Sequence, residues 1–110
     1  MQKFSLDAVG REQLERARTQ SSGRSAETVN GGHEQLLRQT LVALTAGTTL
    51  GEHENPGEAT VQVLAGRVRL SSGEDAWEGR RGDLIVIPPA RHDLRAVEDA
   101  VVLLTVVKHP

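Results

Sequence analysis

GTTLGEHENPGEATVQVLAG, residues 47–66, and GDLIVIPPARH, residues 82–92, are the two stretches that decide the fold of this chain. Each opens on a glycine and carries one histidine, His53 in the first and His92 in the second. Inside the first, Thr60-Val61-Gln62-Val63-Leu64 reads as a strand. Inside the second, Leu84 to Ile87 is apolar at every position and reads as a buried strand. Gly47, Gly66, Gly82 and Pro88 stand where tight turns and strand ends need them.

Working outward, short apolar runs separated by glycine, proline and polar turns continue from about residue 27 to the end. That rhythm predicts an antiparallel sandwich or barrel. The predicted strands are Glu27 to Asn30, Gln35 to Thr45, Thr60 to Leu64, Arg67 to Leu70, Ala76 to Glu78, Leu84 to Ile87, His92 to Ala96 and Val101 to Val107. Gly66-Arg67 and Ser72-Gly73 read as hairpin turns, and Gly79 to Gly82 as a third turn. Arg67-Val68-Arg69-Leu70 alternates and has one wet face, whereas Leu84–Ile87 and Val101–Val107 are apolar on both. A barrel strand turns only one face inward. The other face of these two strands therefore needs a cover, in part from a helix and in part from a second subunit, and a homodimer is expected.

The helix lies ahead of the strands. Ser5 is the expected N-cap of a helix from about Leu6 to Gln20, with Leu6, Val9, Leu14 and Ala17 as its apolar stripe and Glu12 one turn before Arg16. Gly10 counts against it by about 1 kcal/mol relative to alanine. With no second helix to form a helix-turn-helix, it reads as a lid or packing arm. Residues 1–26 thus form a helical arm and linker, and 27–110 the barrel domain.

Composition bounds the function. At 110 residues the chain supports one domain. Aromatic residues make up 2%, so the core must be built from valine, leucine, isoleucine and alanine. A net charge of -2 with pI near 6.1 argues against a nucleic-acid partner or an anionic membrane surface. The absence of cysteine excludes a disulfide framework, a thiolate metal site and a cysteine nucleophile. MQKFSLDAV carries no signal-peptide apolar run, and no stretch approaches the roughly 20 apolar residues of a membrane span. A soluble, cytoplasmic protein is expected.

The two glycine-led motifs resemble the signature motifs of the cupin superfamily, over roughly Gly31 to the C-terminus. The resemblance implies an all-β fold, a double-stranded β-helix or jelly-roll barrel, here with a short N-terminal helix. The family's first motif reads G-x5-H-x-H, then a glutamate, then a glycine; its second reads G-x5-P-x-G-x2-H-x3-N. Three histidines and the glutamate hold a divalent metal at one end of the barrel. In this chain Gly47 lies six positions before His53, Gly82 six before Pro88, and fifteen residues separate Gly66 from Gly82. The ligand slots depart from the pattern. His53 fills the first histidine slot, Asn55 stands in the second, and Ala59 stands in the glutamate slot. Glu58 is adjacent and, by strand alternation, should point away from the pocket. Ala90 replaces the glycine, and His92 arrives one residue early with no following asparagine.

The implied ligand pocket is therefore His53, Asn55 and His92, with His33 as a third imidazole if its side chain faces the barrel. His53, Asn55 and His92 are the candidate metal ligands, for zinc, iron, manganese, nickel or copper, and a barrel without metal stands beside that reading. Two imidazoles and one amide fall short of the usual catalytic sets. Arg91 and Arg95 are candidate rim groups for an anion, Trp77 a hairpin anchor, Asn55 before Pro56-Gly57 also a turn residue, and His109 a terminal residue. The leading functional reading is a barrel that binds a small polar or anionic molecule at its mouth, with a degenerate metal site and no residue assigned as catalytic. The alternative is a metal-dependent isomerase, lyase or dioxygenase of the cupin kind, in which His53 or His92 acts as general base. A stress or regulatory protein acting through its dimer surface is a third.

Overall fold

The structure, a computed structural model, describes residues 1–51 and 57–108. His53, Asn55 and His109 lie outside the described residues. The Ser5 hydroxyl accepts a hydrogen bond from the Ala8 amide at 3.2 Å and starts α1, Leu6–Thr19. Arg16 and Glu12 pair at 2.9 Å on its outer surface.

Eight strands follow: β1 Arg24–Asn30, β2 Leu37–Leu44, β3 Gly57–Ala65, β4 Arg67–Ser72, β5 Asp75–Arg80, β6 Leu84–Val86, β7 Asp93–Ala96 and β8 Ala100–Lys108. They form two antiparallel sheets, a five-stranded one in the order β1-β2-β8-β3-β6 and a three-stranded one in the order β5-β4-β7. This arrangement is consistent with the expected jelly roll. β1 begins at Arg24, inside the stretch read as linker, because Arg24 and Ser25 already pair with Leu44 and Ala43.

The turn at Gly66-Arg67 is not a hairpin. β3 pairs with β6 and β8, while β4 pairs with β5 and β7, so the chain changes sheet there. Gly66 has φ +75°, and a Cβ on it would stand 2.0 Å from the Asp99 carbonyl oxygen. Only glycine fits a corner that is both left-handed and pressed against backbone. The Gly79–Gly82 turn is shifted too. Asp83 closes it by donating its amide to the Arg80 carbonyl at 2.8 Å and accepting the Arg80 amide at 2.9 Å. Gly79 is instead a buried strand residue under Ile85 and Val63.

Two apolar layers result. Between the sheets, Val42, Leu44, Val61, Val63, Val68, Leu70, Ala96 and Val102 form the inner core. Outside the larger sheet, Leu41, Ala43, Val101 and Leu103 are covered by Leu6, Val9, Leu14 and Ala17 of α1. The helix is thus a packing arm, and it explains why β8 is apolar on both faces. Gly10 lets it approach, since a Cβ there would meet Val101 Cγ1 at 3.1 Å. Gln13 is buried in this layer and is satisfied by Glu27 and Ser25. The outer face of β6 has no such cover, and Leu84 and Val86 are 61% and 73% exposed. No helix among the described residues is long and apolar enough to cross a membrane.

Candidate functional site

His92 sits just before β7 and is 2% exposed. It lines an interior cavity together with Val61, Leu70, Ile87, Leu94, Val102 and Leu104. The cavity measures about 10 Å³, room for about one water. An imidazole in such surroundings needs a hydrogen-bond partner. His92 Nδ1 lies 2.9 Å from the Ala90 carbonyl oxygen. A carbonyl can only accept, so Nδ1 carries a proton. The bond also fixes the plane of the ring.

The early arrival of His92 has a local cause. The Ala90 amide donates to the Pro88 carbonyl at 2.8 Å, a three-residue turn that takes up one position fewer than a longer loop. No non-glycine residue has positive φ among the described residues, so Ala90 replaces the family's glycine without backbone strain.

The glutamate slot is settled by β3. Ala59 faces the inner core at 6% exposure, and Glu58 faces solvent. Strand alternation therefore presents a methyl group to the interior and sends the neighbouring carboxylate out. His33 is exposed in the turn before β2 and is not among the cavity's lining residues. Of the four sequence-proposed pocket residues, the described part of the structure thus places His92 inside and His33 outside, while His53 and Asn55 lie beyond it. No three His, Asp or Glu side chains come together in a metal-binding group among the described residues. The described donor set, a single buried imidazole, does not fit a divalent ion by itself.

The other sequence candidates are peripheral. Arg91 and Arg95 are exposed, and Arg95 pairs with Arg69 across β4 and β7. Trp77 is on edge strand β5, opposite Leu70, and is 46% exposed. Sequence reasoning missed Leu50, Leu94 and Leu104 as cavity residues. Leu94 carried a signal, the alternation of β7, whose buried positions are Leu94 and Ala96. Leu50 lies beside β7, outside the named strands, and carried none.

A comparison with curated protein sequences finds no match. Among solved structures, a Streptococcus pyogenes protein of unknown function, SPY1581, is 30% identical over 83% of this chain and 79% of its own, with a TM-score of 0.73. An RmlC-like cupin from Desulfovibrio desulfuricans is 27% identical over 76% of this chain and 81% of its own, at 0.67. A Rhizobium leguminosarum protein of unknown function, 17% identical, shares the fold over 99% of this chain and 98% of its own, at 0.72. The family model described as Cupin domain matches residues 40–108, the stretch that runs from within β2 through β8 and holds both glycine-led motifs. The chain therefore belongs to the cupin superfamily.

Proposed function

We propose that this protein is a binding barrel of the jelly-roll kind. Its mouth, at the His92 end, takes a small polar or anionic molecule, and its metal site is degenerate. The observation that carries the reading is the pairing of a buried, oriented His92 with Ala59 in the carboxylate slot. The Ala90 carbonyl holds the ring in one plane, so the direction of its polar contacts is set. Without a carboxylate at position 59, the described part of the interior has little to offset the charge of a divalent ion. His53 and Asn55 complete the mouth in this proposal. The metal-dependent alternative keeps one supporting observation, since a histidine ligand ordinarily donates its other ring N–H to a carbonyl, as His92 does to Ala90.

The test is a thermal-shift screen of small sugars, carboxylates and phosphates against the wild type and His53→Ala and His92→Ala. A ligand at about 100 times its Kd adds about 2.7 kcal/mol, a shift of several degrees. The shift is expected in the wild type and absent in both variants. A ligand that stabilises both variants equally would place binding elsewhere.

We further infer a homodimer through the open outer face of the larger sheet. Paired positions there put Leu37 with Val107, and Gln39, Thr105, Thr60 and Val86 in one cross-strand row. Glu58, beside Val107, is the charged residue at its margin. A nearly uncharged face offers nothing to a charged partner and suits a second copy of itself.

A further inference from the structure

The helix does not lie flush along the whole sheet. Between α1 and the Gly66 corner runs a cleft of about 410 Å³, within the range of small-molecule sites. Its floor is apolar, formed by Leu6, Leu14, Leu64 and Val101. Arg11 from the helix and Arg81 from the β5–β6 turn stand on its walls, with Asp7. A second hollow of about 300 Å³ shares Gly66 and Arg81 with it and adds Arg67, Arg80 and Glu98. Four arginines thus meet two carboxylates around adjoining hollows, on a chain whose net charge is -2.

These arginines are poorly satisfied by the protein. Arg16 and Arg18 are held by Glu12 and Asp99 at 2.9 and 3.0 Å. Arg67, by contrast, stands 3.8 Å from Glu78 and 4.0 Å from Glu98, beyond hydrogen-bond reach. Its Nε is shut off from solvent with no hydrogen-bond partner among the described residues. The guanidinium groups of Arg11, Arg80 and Arg81 form no ion pair with any described residue. A planar guanidinium presents a fork of donors that matches a carboxylate.

We infer that this cleft is a second ligand site, separate from the interior beside His92, and that it takes an amphiphilic anion. The carboxylate head sits among Arg81, Arg11 and Arg67, and the aliphatic body lies along Leu6, Leu14 and Leu64. Neither half suffices alone. An anion without an apolar body gains only exposed charge pairing, which is weak in water. An alcohol of the same length leaves the arginines as they were.

Octanoate is the probe, with octanol and inorganic phosphate as its two halves, read by amide chemical shifts of the full chain. Octanoate is expected to shift Gly10–Leu14, Leu64–Arg67 and Arg80–Arg81 saturably, and more tightly than either half. Arg81→Gln, an exposed turn position, should weaken it about tenfold, while His92→Ala leaves it unchanged. Failure to saturate, equal affinity in Arg81→Gln, phosphate binding as tightly as octanoate, or shifts confined to the surroundings of His92 would each overturn the inference. The His92→Ala arm keeps this result separate from the fate of the barrel site.

Discussion

At position 59 a methyl group faces the inner core from β3, and at 92 an imidazole is pinned by a backbone carbonyl. The proposed function rests on those two side chains. A carboxylate at 59 would be buried near Val61, Ile87 and Val106 with no cation described near it. Ala59→Glu is therefore expected to cost about 2–4 kcal/mol in urea unfolding without metal. Addition of manganese or zinc should recover part of that loss, because the new carboxylate would join His92 as a ligand. A variant as stable as the wild type would mean that residue 59 is not enclosed. This much was legible beforehand, since the glycine framework locates His92 and Ala59 and strand alternation separates Ala59 from Glu58. The apolar lining was not, because Leu50, Leu70 and Leu104 reach the cavity from three distant stretches of chain.

The elements are tied together by one surface carboxylate. Asp99, just before β8, accepts the Ala46 amide at 2.9 Å on one oxygen and Arg18 Nε and Nη2 at 3.2 and 3.0 Å on the other. It thereby joins the end of α1 to the turn after β2. The Ala46 amide and then the Arg18 guanidinium hold its pKa below the ordinary 3.8, against a smaller upward push from burial. Above 3.8 the group is ionised in both folded and unfolded chains, and its stabilisation is complete. As pH falls below that value the unfolded chain takes up the proton first, and the contribution is lost by the lower folded pKa. Asp99→Asn should therefore be less stable than the wild type at pH 7, with the gap closing below about pH 4. A gap that persists unchanged in acid would assign the loss to packing instead of charge. Sequence reading found all eight strands and the helix because their apolar periods are local. It misread the Gly66 corner as a hairpin because a glycine turn looks the same whether the chain returns to its own sheet or crosses to the other.

For the whole molecule, two faces matter: the outer sheet face and the arginine-lined cleft. The first was legible in part, since both-face apolarity in β6 and β8 called for cover, yet only β8 receives it from α1. The cleft was not, because Arg11 and Arg81 come to line it only by the packing of the helix on the sheet. Light scattering at micromolar concentration is expected to give twice the chain mass, and Val86→Glu, on an exposed strand, should give the monomer with its fold intact. A wild-type monomer would leave the open face without a partner of its own kind. The central claim, a cupin barrel that binds without a resident metal, is tested most directly by metal content. Protein purified with neither a histidine tag nor chelator, and measured by elemental mass spectrometry, is predicted to be folded with well under one equivalent of any transition metal. Near one equivalent of iron, manganese, nickel, copper or zinc, lost in His92→Ala, would contradict the account and establish a working metal centre.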